Sequence, residues 1–239
     1  MLHVWLPSGQ KLLSTEVGEA KDVLTLKTRL QKLCGRSRFQ QRLLHEGLEV
    51  ADFSMEAPVD LQLVLLPFIG ASEEQRDELG ACAGSGFLTQ VEEILHRPQD
   101  PNLACRFERF AITWPLCLAA ERGAETVSAL IQAGADVNLE AGADVNAVSK
   151  TLGLTPLAFA ACWGHVEMAR LFIQAMPGGT GAYLTGAAII AAANKGHVEI
   201  VRLLVEVQTD KDSSIKLTLL ALLCATCHNR VEIVPWLPM

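Results

Sequence analysis

The chain has no apolar stretch long enough for a membrane-spanning helix. Its longest apolar runs, Leu61–Ile69 and Leu217–Ala225, fall well short of the ~20 residues needed to cross a bilayer. Residues 1–15 have neither a basic head nor a continuous apolar segment, so no secretory leader is expected. Aromatic residues are scarce, at 5% with a single Tyr, yet half of all residues are hydrophobic. Leu and Ala abound among them, which favours a helix-rich chain with ample core material. Clustered basic charge is also missing. Residues 1–70 balance eight Lys and Arg against eight Asp and Glu, so the net charge of −7 belongs wholly to residues 71–239. An acidic second half argues against nucleic acid as a partner, because phosphate contacts require grouped Lys and Arg.

The usual signatures of catalysis are absent too: there is no nucleophile elbow, no H-E-x-x-H and no credible acid–base pair. Gly178-Gly179-Thr180-Gly181 is followed by no Lys-Ser/Thr and completes no G-x-G-x-x-G, so it reads as a loop. Seven cysteines are scattered without framework spacing, which predicts reduced thiols in an intracellular, cytoplasmic or nuclear protein. Cys224-Ala225-Thr226-Cys227-His228 matches the C-x-x-C-H pattern of covalent haem attachment, with His228 as axial ligand. A structural zinc site would need a fourth ligand that the neighbourhood does not offer. The same five residues also fit a repeat register, so no cofactor and no metal are expected.

What is present falls into two grammars. In residues 1–68, Leu2, Val4 and Leu6 alternate with His3 and Trp5, then Pro7-Ser8-Gly9 turns the chain into a second strand from about Lys11. Val23, Leu26, Leu30 and Leu33 fall on one helical face, with Glu19 and Asp22 near its start and Gly35 after its end. Phe39–Leu44, a Glu46-Gly47 turn and a closing strand at Asp60–Leu65 complete a β-β-α-β-β order. From Ala71 onward the pattern is one of helix pairs. Thr155-Pro156-Leu157, Ala160-Ala161 and Gly164-His165-Val166-Glu167 are followed 32 residues later by Ala192-Ala193-Asn194-Lys195-Gly196-His197-Val198-Glu199. Such a period marks stacked repeats that cannot bury their apolar faces singly. The expected turn positions are 86, 123, 164, 196 and 229, with Asn229 taking the glycine's left-handed role.

The first segment, with Gln40-Gln41-Arg42-Leu43-Leu44, Glu46-Gly47-Leu48-Glu49 and Leu61-Gln62-Leu63-Val64-Leu65, resembles ubiquitin and its β-grasp relatives. That resemblance implies Leu43, Leu61 and Leu63 in the core. It puts Leu44, Gln62 and Val64 on the outer sheet face, where ubiquitin offers its apolar recognition patch. Phe68-Ile69-Gly70-Ala71 runs on with no di-glycine tail, so a built-in module is implied rather than a conjugated one.

The second segment resembles ankyrin repeats over residues 74–239. Pro is tolerated in a helix's first turn, paired Ala permits close helix packing, and Gly permits the turn between antiparallel helices. Departures are evident. The His of the usual Thr-Pro-Leu-His is Cys117, Ala158, Ile190 and Leu223 in units two to five. Trp114 stands in for the usual Thr, and Ala133–Asn138 recurs as Ala141–Asn146. The expected architecture is therefore an α+β ubiquitin-like β-grasp domain (1–70) followed by an all-α ankyrin solenoid (71–239) of four to five degenerate repeats, the last incomplete.

The resemblance implies a non-enzymatic scaffold or adaptor whose concave face holds a client protein, while the first domain contacts ubiquitin-pathway machinery. The candidate client-binding residues, by register, are Glu121, Arg122, Trp163, Asn194 and Lys195, beside Cys162. Leu217–Leu223 is apolar nearly all round and no polar cap is expected after it. Self-association through the last repeat, or a larger ankyrin-containing enzyme or signalling protein of which this is a fragment, follows as an alternative expectation.

Overall fold

The computed structural model describes residues 1–16, 19, 22–50, 59–107, 110–137, 155–176, 182–207, 211–230 and 233. The expected duplication around 141–146, the Gly178–Gly181 loop and the segment around Pro235 lie outside the described residues. The chain divides into two compact units. The first comprises Met1–Gly70 with Glu92–Asp100 and Gln132–Gly134, and the second holds the remainder of 71–239.

In the first unit, β1 (Leu2–Trp5), β2 (Lys11–Thr15), β3 (Gln41–His45), β4 (Leu48–Glu49) and β5 (Val59–Leu65) form one mixed sheet in the order β2-β1-β5-β3-β4. Only β1 and β5 pair in parallel. Helix α1 (Val23–Cys34) supplies the cover, and the arrangement is β-grasp-like. Alternation along the strands sends Leu2, Val4, Leu43, Leu61 and Leu63 into the core, each 0% exposed, with Leu26 and Leu30 from the helix. The expected caps are in place. Asp22 accepts from the Thr25 amide, and left-handed Gly35 closes the C-terminus on Gln31. The Glu46-Gly47 turn is left-handed at both residues, with φ of 51° and 83°, as a two-residue hairpin requires.

The helix faces its sheet at a slightly different angle from the one expected. Leu33 is 52% exposed, whereas Cys34 packs against the core and Lys27 is buried. A stripe of residues 23, 26, 30 and 34 advances by near-integral turns, which leaves position 33 outside it and draws position 27 in. Within the same unit Arg38 lies 4.0 Å over the Phe39 ring and pairs with Glu92, while the Phe39 ring meets His96 edge-on at 5.0 Å.

From Glu73 onward the chain is built of helix pairs: α2 (Glu73–Ser85) and α3 (Leu88–Leu95); α4 (Pro115–Ala119) and α5 (Ala124–Ala133); α6 (Pro156–Trp163) and α7 (Val166–Ala175); α8 (Ala182–Lys195) and α9 (Val198–Glu206); then α10 (Lys211–Cys227). The ends of α3 from Glu92 and of α5 from Gln132 belong to the first unit and the rest to the second. A short hairpin, β6 (Cys105–Phe107) and β7 (Phe110–Thr113), joins the first pair to the second. The first helix of each pair packs on its successor, α2 on α4, α4 on α6, α6 on α8 and α8 on α10. Thr155 caps α6 by accepting from the Ala158 amide, with Pro156 at the first helical position. Trp114 holds the same place before α4 but makes no cap bond, and that helix runs only five residues. A full capping box between Ser72 and Gln75 starts α2, which continues through Gly84 and Ser85 and stops only at Gly86.

The turn residues Gly86, Gly164, Gly196 and Asn229 are left-handed, at φ 75°, 79°, 84° and 55°. After each, the next amide (Phe87, His165, His197 and Arg230) bonds the carbonyl five residues back, closing a Schellman motif. Gly123 is the exception, since its φ is not positive: the short α4 ends in backbone of ordinary right-handed type at Ala120.

One contact recurs between successive pairs. His165 Nε2 donates to the Glu121 carbonyl at 3.1 Å, His197 Nε2 to the Cys162 carbonyl at 3.1 Å, and Arg230 Nε to the Asn194 carbonyl at 3.4 Å. Each donor follows its turn residue, and each acceptor lies two residues before the turn residue of the preceding pair. The two histidines thereby register one repeat on another. The His197 ring also covers Gly164 so closely that a Cβ there would sit 2.8 Å from its Cε1.

Two outcomes follow. Gly164→Ala forces a left-handed alanine, at about 1–2 kcal/mol, and adds the steric clash with His197. In a His197→Ala background the clash part of the loss vanishes, so chemical denaturation of the two single variants and the double is non-additive. Lys27 has its pKa lowered, first by burial and then by neighbouring Arg42 and Arg38, with Glu49 opposing. The unfolded chain thus holds that proton more tightly, and stability gains as pH rises through the folded value toward the unfolded one. Lys27→Met removes this dependence and raises the melting temperature of the first unit at neutral pH, by roughly 4–8 °C per kcal/mol recovered.

Candidate protein-binding surface

In the repeats, the position immediately before each turn residue is occupied by Ser85, Arg122, Trp163, Lys195 and His228, and all five are exposed. Trp163 shows 50% of its surface to solvent. The position one residue earlier behaves differently. Glu121, Cys162 and Asn194 are only half-buried, and their carbonyls are the acceptors of the inter-repeat bonds. The Asn194 amide oxygen is buried and bonds nothing among the described residues. The structure therefore separates the expected candidates into two groups. Arg122, Trp163 and Lys195 form an accessible row of two cations around one indole, and Glu121 and Asn194 belong to the joints between repeats. At Trp163 and Lys195 the physical reason is the cap: a residue adjacent to a left-handed turn ends the helix facing solvent, while the preceding residue still lies over the next pair. Arg122 is exposed just past the end of the short α4.

On the sheet unit, strand register assembles a second row. Lys11 pairs with Trp5, Trp5 with Gln62, Gln62 with Leu44, and Leu44 with Glu49, so five strands each place one side chain on the outer face. Lys11 Nζ lies 4.8 Å over the Trp5 ring, and Trp5 Nε1 donates to Asp60 Oδ1 at 2.8 Å. Trp5, Leu44, Gln62, Asp60 and the Glu46-Gly47 turn border an open groove of about 370 Å³. Leu44 and Val64 are half-buried and Gln62 is exposed. Val64 pairs with Arg42 and does not border the groove. The expected trio is thus a pair plus a neighbour, and Trp5 is the side chain that sequence reasoning passed over. The signal was its outward phase in β1, legible only once β1 is known to run alongside β5.

The chemistry of these rows is recognition chemistry: an aromatic face, flexible cations and carboxylates already engaged by protein donors. The C-x-x-C-H segment occupies the end of α10 and its cap. His228 Nδ1 donates to the Cys224 carbonyl at 3.0 Å, a local helical bond. Among the described residues no three His, Cys, Asp or Glu side chains are grouped as metal ligands, and no helix is long and apolar enough to cross a membrane.

All seven cysteines are free thiols. Burial, reinforced by Asp77, pushes the Cys105 thiol up to about 12, and burial also raises Cys82 and Cys224. Cys227 is exposed. At pH 8 a thiol of pKa near 12 is ionised to roughly one part in 10⁴. Thiol titration of the native protein is expected to show its fastest site at Cys227, abolished by Cys227→Ser, with Cys105 reacting only after unfolding.

No curated protein matches this chain. Residues 79–181 match the family model described as ankyrin repeats (3 copies), so this part of the chain, which spans the helix pairs from within α2 to α7, is made of ankyrin repeats, a protein–protein interaction module.

Proposed function

We propose that the chain is a non-enzymatic adaptor. Its repeats hold a client protein through Arg122, Trp163 and Lys195, and its β-grasp-like unit makes a separate contact with ubiquitin-pathway proteins through Leu44, Gln62 and Trp5. One observation carries the reading: three successive turns present an exposed long side chain at the same repeat position, on backbone pinned to the neighbouring repeat. A preorganised row of this kind costs little entropy when it binds, and an exposed Trp between two cations has the composition of an interface hot spot. The two cations of the row favour a client with an acidic or mixed-charge surface at that point, and the acidic balance of residues 71–239 disfavours a nucleic acid. The free thiols suit the cytoplasm or nucleus.

The test uses the full chain as bait in a eukaryotic lysate, with three variants. Trp163→Ala, alone or with Arg122→Glu and Lys195→Glu, is expected to release the repeat client and leave sheet-unit partners bound. Trp163→Ala alone is expected to cost at least about 2 kcal/mol of binding, the scale of a hot-spot residue. Leu44→Asp is expected to release ubiquitin-pathway proteins and spare the client. A bait whose partners survive all three variants overturns the assignment of both surfaces.

A further inference from the structure

Helix α10 buries one side and leaves another open. Leu217, Ala221 and Ala225 are at most 5% exposed, whereas Ile215, Leu219 and Leu223, spaced at i, i+4 and i+8, are 58%, 54% and 62% exposed. Register identifies this open stripe. The left-handed turn residues Gly196 and Asn229 align each position of α8 with the one 33 residues later in α10. Leu219 therefore occupies the place of Gly186, with Ile215 and Leu223 in the places of Ala182 and Ile190. At Gly186 a Cβ would lie 3.9 Å and 4.0 Å from Leu220 and Leu217 of α10, so this is the face by which α8 receives its successor. On α10 the same face receives no helix among the described residues, where its partners are α8 and α9.

We propose that this face binds a second copy of the chain, α10 against α10 across a two-fold axis at Leu219. The stripe continues the α6–α8–α10 stack, yet its side chains are of a different size. The α8 position uses glycine where helices come close; Leu219 and Leu223 demand the wider spacing at which Leu knobs enter a Leu-lined groove. The partner should therefore be another Leu-rich helix face, and α10 is one. The stripe is also palindromic. An antiparallel pair sets Leu219 on its own copy and Ile215 against Leu223 of the second copy, which is the self-complementarity a two-fold interface requires. The flanking charges agree with this direction. Asp212 and Lys216 are exposed near one end only, so an antiparallel pair separates each from its equivalent, whereas a parallel pair would bring like charges together.

Sedimentation equilibrium of the full chain over about 5–200 μM tests the proposal, a range chosen because a single helix pair lies at the small end of interfaces. The mass is expected to climb from 25.8 kDa toward twice that value, and Leu219→Asp to hold it at the lower value with an unchanged circular dichroism spectrum. In a Cys227→Ser background, Leu219→Cys is expected to cross-link under mild oxidation. Ile215→Cys is not, since the two copies of that residue would stand about 12 Å apart along the axis, beyond disulfide reach. A monomer at the highest concentration, a dimer that survives Leu219→Asp, or equal cross-linking at 215 and 219 overturns it.

Discussion

A bond from the residue after the turns at 164, 196 and 229 to a carbonyl two residues before the preceding turn is the contact on which the stacking of the later repeats depends. Stacked helix pairs are held by apolar burial, which is plentiful here but indifferent to small slippage. A directional bond resists slippage, because a displaced pair would leave a carbonyl at the joint without its donor. His165, His197 and Arg230 make this bond with different side chains. The constraint therefore falls on the presence of a long N–H donor rather than on one residue type. The left-handed turn makes the bond possible, since it ends the helix and delivers the next residue to the joint. Trp163 and Lys195 of the exposed row inherit their alignment from the same geometry, and Arg122 joins them through the Glu121 carbonyl that His165 holds.

The sheet unit relies on a different kind of order. Its buried face is a set of Leu and Val residues selected by strand alternation. Its outer face is a single register line running from Lys11 through Trp5, Gln62 and Leu44 to Glu49. The parallel pairing of β1 with β5 brings residues 5 and 62 together and turns two scattered side chains into one groove. A slip of one residue would bury the Trp5 face and expose the Leu61 and Leu63 face. The Leu core and the outer row are therefore one choice of register seen from two sides.

How much of this could be read in the sequence depends on whether a feature is local. The sheet core, the Asp22 and Gly35 caps, the entry of α6 at Thr155-Pro156 and the left-handed Asn229 are set by residues close in the chain, and the sequence carries them. The family match at 79–181 agrees with the repeat pattern read there. Features that need two distant segments in place were out of reach. Lys27 is buried and Leu33 exposed because of where the sheet lies against α1, which helical period alone does not specify. Trp5 needed the β1–β5 pairing. The inter-repeat bonds needed the stack, although a donor at 165, 197 and 230 was a visible hint. Gly123 shows the reverse error: a glycine at the right spacing was expected to turn left-handed, and a five-residue helix ended before that was needed.

The inter-repeat bond has no counterpart at the first joint, where the residue after Gly123 is Ala124 and offers no side-chain donor. The joint between α2 and α4 relies instead on apolar packing, on the β6–β7 hairpin with Gly80 set close against Cys105, and on bonds placed elsewhere, the Asp136 amide donating to Asn102 Oδ1 and the Arg106 amide to Asp77 Oδ1, each at 2.7 Å. Because each repeat senses only its neighbours, such an array has no single melting event that must involve every joint at once. Local opening is free to start at the joint that lacks the side chain–carbonyl bond while the others stay shut, so amide protection should form a gradient along the stack. The molecule would then behave less like a block than like a zipper whose teeth are missing at one end.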